Sequence, residues 1–188
     1  MNRREALERV AILTGMAVVG GEFFMSGCKR NPKQVNSLFN EDQVTFMNEV
    51  GDTILPDTRT PGAKAANVGT FMTVMVQDCY SPEDQKVFLK GLNTVDDEAN
   101  KKYGQKFLDL DGKQRLELLT VLDKAQKAES KQPKPGKQYQ YYAMLKQLTL
   151  LGYFTSQIGA TQALRYIEVP GHFDGNLPYK KGDKAWAI

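Results

Sequence analysis

The residues of this chain that could do chemistry are few, and most lie near its two ends. Arg3 and Arg4 sit together in a short polar head, and Cys28 follows the small pair Ser26-Gly27. Toward the other end stands the sole histidine, His172, two residues before Asp174. Paired arginines ahead of an apolar run are the pattern of a twin-arginine export signal. Ser26 and Gly27 are small enough for an extended backbone to enter a peptidase, and a freed Cys28 would take acyl chains. Two or more such chains hold a protein on a bilayer where one does not. His172 with Asp174 could form a base of a metal-free hydrolase; the alternative is a surface or interface group.

Other chemistries find little to work with. One histidine cannot build a His-rich zinc, copper or di-iron site. The two cysteines cannot hold an iron–sulfur cluster, and no haem-attachment motif is present. No glycine-rich nucleotide loop and no GxSxG elbow occurs. The acid pairs Asp96-Asp97, Asp109 with Asp111, and Asp78 with Glu83 and Asp84 read as helix caps and solvated faces, since none is singled out as a pair held across a cleft. No catalytic, cofactor-binding or metal-binding residue is therefore expected in this chain. Cys79 is left alone once Cys28 is acylated, which rules out an internal disulfide framework. Its apolar run, Phe71 to Cys79, predicts a buried thiol, with a reactive or intermolecular role as the alternative.

The leader itself is informative. From Val10 to Gly21 the apolar run is 12 residues, broken by Thr14, Gly15, Gly20 and Gly21. A spanning helix needs roughly 20 apolar residues, so this length suits a signal core instead. The alternative is an ordinary N-terminal helix with an incidental arginine pair. Twin-arginine export carries proteins already folded. A chain with that signal and no cofactor motif is a candidate escort for a cofactor-bearing partner.

The net charge of +3 over 188 residues is mild. It carries no concentrated basic face and excludes a dedicated nucleic-acid binder. The division expected is a signal over 1–27, a polar tether over 28–40, and one domain over 41–188, a size that buries a core without staples. Asn40 with Gln43, and Asp111 with Gln114, are capping boxes. Ser81-Pro82-Glu83-Asp84 opens a further helix that runs toward Gly104. Apolar spacings of three and four predict helices over Val44–Leu55, from Val68 to Cys79, over Val87–Tyr103, over Leu116–Ala125 with Leu116, Leu119 and Leu122 inward, and from Tyr139 onward. A short helix from Thr155 or Ser156 to Leu164 follows. Pro56 to Ala63 is a rigid polar loop, and Ser130 to Lys137 a basic one. The fold class is all-α: five or six amphipathic helices in one domain, then a long irregular aromatic tail. Thr149–Phe154 is the most strand-like stretch. In the tail, Phe173, Tyr179 and Trp186 stand among glycines, prolines and lysines. Large aromatics on extended backbone make interface hot spots; the alternative is that the tail wraps its own domain.

The runs Ile54-Leu55-Pro56-Asp57-Thr58, Pro61 to Val68, Asp78-Cys79-Tyr80, Leu145 to Leu150, Gly152 to Gly159, Val169-Pro170-Gly171 and Ala185-Trp186-Ala187 carry a resemblance. Lys146 to Gly159 is its most specific piece. The chain resembles the gluconate 2-dehydrogenase subunit 3 family, the small subunits of membrane-associated FAD-dependent sugar dehydrogenases. The resemblance covers about residues 41–188. It implies a non-catalytic subunit needed for export and assembly of a glucose-methanol-choline type flavoprotein that holds FAD. Electrons then pass to a cytochrome c carrying haem c in a third subunit, or to another acceptor. It also implies partner contacts at Leu55, Pro56, Pro61, Tyr153 and Phe154, and in the tail at His172, Phe173, Tyr179 and Trp186. Family tails often carry a cysteine near the position of Asn176, absent here, and the lipid signal at Cys28 is not universal. Residence on the periplasmic side of the cell envelope, lipid-anchored to the inner or outer membrane, is the expected location. The competing reading is a free-standing helical envelope lipoprotein that binds a small ligand or another protein.

Overall fold

The computed structural model describes residues 32–132, 138–169, 171–172 and 174–187. Arg3, Arg4, Cys28 and Phe173 lie outside the described residues, so the expectations placed on them do too. Among the described residues from Lys33 onward there are five α-helices, and the all-α expectation holds. They are α1 (Glu41–Ile54), α2 (Val68–Cys79), α3 (Pro82–Tyr103), α4 (Gly112–Ser130) and α5 (Gln140–Phe154). A 3₁₀ turn, Phe107–Asp109, precedes α4, and a π-helical turn, Gly159–Ala163, follows α5. No described helix is long and apolar enough to cross a membrane.

The helix starts follow from local chemistry. Asn40 accepts from the Gln43 amide at 2.9 Å while the Gln43 side chain accepts from the Asn40 amide at 3.0 Å. Asp111 and Gln114 repeat the exchange at 2.8 and 3.1 Å. Ser81 caps α3 ahead of Pro82, and Gly104 closes it in the left-handed conformation at φ 71°. These caps satisfy amides that helix geometry leaves without partners.

Other helix ends are capped from a distance. Asn67 at the head of α2 makes no side-chain cap of its own. Asn48 of α1 does the work instead, accepting from the Gly69 amide at 2.8 Å and donating to Asn67 Oδ1 at 3.0 Å. At the head of α5, the Glu129 carboxylate of α4 accepts from the Gln138 and Tyr139 amides, each at 3.0 Å.

The core is one cluster drawn from all five helices. Helix α5 sits at its centre and packs against α1, α2, α3 and α4. Tyr141, Tyr142, Met144, Leu145, Leu148, Thr149, Gly152 and Tyr153 are its buried positions. The strand-like stretch Thr149–Phe154 is therefore helical, with Thr149, Gly152 and Tyr153 buried. Where α3 crosses α5, a Cβ at Gly91 would fall 2.3 Å from Tyr141 Cβ, so only glycine lets the helices approach this closely. Burial pushes the Tyr141 hydroxyl up to about 12, and among the described residues its oxygen has no hydrogen-bond partner.

Three expectations are corrected, and the tail gains a detail. Residues 33–40 are not a free tether: Phe39 is fully buried and meets Phe88 edge-on at 6.0 Å. Cys79 is exposed, because it is the last residue of α2, beyond the last buried position, Val76. In α4 the buried positions are Leu118, Leu119 and Leu122, while Leu116 faces solvent. The tail is irregular but tied: Arg165–Tyr166 (β1) pairs in parallel with Trp186–Ala187 (β2), and the Arg165 guanidinium lies 4.4 Å from the Trp186 ring centroid.

An ionic knot joins three segments. Glu49 of α1 takes a hydrogen bond from Arg115 Nη1 at 2.5 Å and one from Lys64. The same guanidinium donates to the Phe107 and Leu108 carbonyls at 3.2 and 2.6 Å, fixing the 3₁₀ turn against α1. Burial alone would raise the Glu49 carboxyl; the hydrogen bonds and charges of Lys64 and Arg115 outweigh it and hold it below the ordinary carboxylate range. A depressed folded-state carboxylate stabilises the fold above its unfolded value, near 4.5, and that contribution is lost as pH falls through the lower folded value. Glu49→Gln should therefore lower stability at neutral pH and shrink the fall in stability below about pH 4.5. Urea melts of both proteins at several pH values would show it; parallel curves would exclude the effect.

Candidate interface around the end of helix α5

The C-terminal end of α5 breaks the rule set by the rest of that helix. Leu150, Leu151 and Phe154 are exposed, Phe154 at 39%. Their spacing puts them on one side, opposite the buried Leu148, Thr149, Gly152 and Tyr153. An amphipathic helix ordinarily gives its outer side to polar residues, so three large apolar groups there want a partner.

Tyr153 links this end to the loop after α1. Its hydroxyl donates to the Pro61 carbonyl at 2.6 Å, and its ring meets Phe154 edge-on at 5.1 Å between centroids. The loop is held closed by two further bonds, Ala63 N to Leu55 O at 2.9 Å and Thr58 N to Thr60 O at 3.1 Å. It turns so tightly that a Cβ on Gly62 would lie 2.6–2.7 Å from backbone atoms of Leu55, Pro56 and Asp57. Pro56, Asp57, Thr58 and Arg59 are exposed on it, while Leu55 and Pro61 are half-buried. A loop fixed before binding loses little entropy when bound.

The chain beyond α5 folds back on the same end. Ser156 Oγ donates to the Tyr153 carbonyl at 2.7 Å and accepts from the Gly159 amide at 3.0 Å. The π-helical turn closes with Leu164 N to Gly159 O at 2.9 Å and leads directly into β1. Lys184 returns to the Gln162 carbonyl, and β2 pairs beside it. Trp186 is thus brought back toward the turn. His172 is exposed, and Tyr179 is 77% exposed; the described contacts do not join either of them to the α5 end.

The structure thus connects Leu55, Pro56, Pro61, Tyr153 and Phe154 in one run of contacts. Tyr153 itself is buried, so its role is to hold the loop rather than to meet a partner. Leu150 and Leu151 escaped the sequence reading. Their signal was present: with α5 buried on its other side, apolar residues at 150, 151 and 154 are in excess of what the core can take.

A ligand-binding role would call for an enclosed apolar pocket with convergent polar groups. A cleft of about 450 Å³ lies between the start of α1, the middle of α3 and the 3₁₀ turn. Its lining mixes Asp42, Asp96, Asp109 and Lys106 with Phe46, Leu92 and Leu108. Asp96 is already engaged, accepting from the Phe107 amide at 3.0 Å. Among the described residues, no group of three His, Cys, Asp or Glu is placed to hold a metal ion.

Comparison with known proteins gives one match. A family model described as gluconate 2-dehydrogenase subunit 3 matches residues 41–171. The match starts at the first residue of α1 and ends ahead of His172, Tyr179 and Trp186. Neither a curated protein nor a solved structure matches the chain.

Tyr153→Phe should leave the helices intact and free the loop. Removing one hydrogen bond to a partly buried carbonyl costs about 1 kcal/mol, and amide exchange should quicken at residues 57–63 with α1 and α5 unchanged. Unaltered exchange in the loop would show that Tyr153 does not hold it.

Proposed function

The chain belongs to the gluconate 2-dehydrogenase subunit 3 family, and on that premise we propose that it is the escort and membrane tether of a flavoprotein. As a subunit 3-type chain it is an accessory subunit of a multi-subunit dehydrogenase complex. The finer reading is that it binds an FAD-containing large subunit of the glucose-methanol-choline type, which oxidises a sugar or sugar acid. The two would leave the cytoplasm together through the twin-arginine signal at Arg3 and Arg4. Acylation at Cys28 would then hold the complex at the periplasmic side of the envelope. A cytochrome c with haem c, or another acceptor, would take the electrons.

One observation carries the partner reading. The most buried helix of the domain surrenders its outer side at one end to Leu150, Leu151 and Phe154, beside a loop already fixed in shape. Exposed apolar groups of this size gain free energy when a partner covers them, at about 25 cal/mol per Å² of apolar surface removed from water. The pre-set loop adds specificity at low entropic cost.

Detergent extraction of the native complex followed by affinity capture of this chain tests the reading. A flavin-containing large subunit should elute with it, seen by flavin absorbance. A colourless single chain at native expression level would sink the proposal. Changing Arg3 and Arg4 both to Lys should leave the flavoprotein in the cytoplasm; normal export would remove the escort role while leaving the complex intact.

Phe154→Asp addresses the surface itself. The position is exposed, so the circular dichroism and melting of the domain should hardly change. Loss of an interface anchor typically costs about 2 kcal/mol or more, so affinity for the large subunit should weaken by about thirtyfold or more. Undiminished capture would move the interface elsewhere.

A further inference from the structure

The helical unit runs from Lys33. The Lys33 carbonyl accepts from the Glu41 amide at 3.0 Å, and the Val35 amide donates to the Phe39 carbonyl at 2.9 Å. The Asn36 side chain accepts from the Leu38 and Phe39 amides and donates to the Thr73 carbonyl of α2 at 3.3 Å. Ser37 bonds Gln77 of α2 at 3.1 Å. Residues 33–39 are therefore fastened to the start of α1 and the later part of α2.

Only five residue steps separate Lys33 from Cys28. Even fully extended, they span at most about 18 Å. A compact domain running from Lys33 to Ile188 has a diameter of roughly 40 Å. A link shorter than the domain's own radius cannot let the domain turn over. Only the half nearest Lys33 can meet the membrane that holds the acyl chains.

That half is mixed in charge: basic residues lead into it, while Asp42 in the first turn of α1 and Asp78 beside Cys79 are exposed on it. Lys33 is exposed, and the intervening residues include Lys29 and Arg30. Basic residues beside a membrane anchor are drawn to anionic headgroups. Val35 is 45% exposed on the fastened segment, and Val74 is 50% exposed on α2, one turn from Gln77. We propose that in the acylated chain the end of the domain bearing Lys33, Val35 and Val74 rests on the bilayer surface, its orientation fixed by the short link to Cys28. This rests on the lipid-anchor reading above. The Pro56–Thr60 loop lies at the other end of α1, 14 residues and about 21 Å away along the helix axis, and faces clear of the membrane.

Native Cys79 makes the test direct. It is exposed at the end of α2 that the 33–39 segment fastens, and acylation blocks Cys28. The full acylated chain is labelled at Cys79 with a thiol-reactive fluorophore. A second protein carries the label at Arg59→Cys in a Cys79→Ser background. Both are placed in vesicles of phosphatidylethanolamine and phosphatidylglycerol doped with a headgroup-nitroxide lipid. The label at Cys79 should lose most of its fluorescence, and the label at Arg59→Cys should not. A flexible Gly/Ser spacer of about 30 residues after Pro32, with a span of roughly 30 Å, should abolish the difference. Equal quenching at the two positions, or none at Cys79, overturns the orientation. Intact mass is read first: without an acyl group the lipid-anchor reading fails and the proposal with it, whereas acyl present and Cys79 unquenched sinks the orientation alone.

Discussion

The close packing of helix α5 is the constraint from which the rest of the domain follows. Eight of its fifteen residues are buried, and it touches each of the other four helices. Such a position leaves little space on its inner side, which is why Gly91 of α3 stands where a Cβ would strike Tyr141. The termini of α5 are set by neighbours rather than by its own sequence. Glu129 holds its first amides, and Tyr153 at its end reaches out to Pro61. Asp123 of α4 adds a bond from Lys146 at 2.5 Å; the hydrogen bonds of Lys127 and Lys146 hold that carboxyl below its ordinary range. Apolar residues for which the core has no room then come out on the helix's last turn, where Leu150, Leu151 and Phe154 face solvent.

The parts of the fold legible in the sequence are those decided within a few residues. Asn40 with Gln43, Ser81 with Pro82, Gly104, and Asp111 with Gln114 each act on backbone at most four positions away, so their pattern is visible in the chain itself. Features set by distant partners were not. Leu116 and Leu119 are equally apolar and one helical step apart, and only the neighbours of α4 decide that Leu119 is buried. Phe39 sits in a polar stretch that reads as a tether until α2 and Phe88 are there to receive it. Asn48, mid-helix in α1, caps α2 because of where the turn at Asn67 brings it. The pairing of Arg165 with Trp186 joins residues 21 apart with only two residues per strand, too short for any alternation to announce it.

The candidate interface divides in the same way. The Pro56–Ala63 loop and Phe154 were marked by composition and by resemblance, but the bond that unites them, Tyr153 to Pro61, spans 92 positions. The tail was marked by its aromatics alone. The structure ties its two ends together through β1 and β2 and leaves Tyr179 and His172 in the exposed stretch between. The family match runs through β1 and ends at residue 171, inside that stretch and ahead of both residues. The helical unit, its loop and β1 thus lie inside the match, and β2 lies beyond it.

Helix α1 gives the domain a direction. Its first turn receives the segment that leads to Cys28, and its last turn opens into the loop that Tyr153 fixes. Between them the Glu49 carboxylate binds Arg115 and Lys64, so the 3₁₀ turn and the residues after the loop are both referred to the middle of the same helix. In the tethering role proposed above, such a rod would act as a spacer, with its Lys33 end fastened to α1, α2 and Phe88 and its loop at the far end. An accessory subunit proposed to hold an enzyme near a membrane needs that separation. If one end of the domain served both lipid and partner, the two would compete for the same surface, and a short link would make the competition severe.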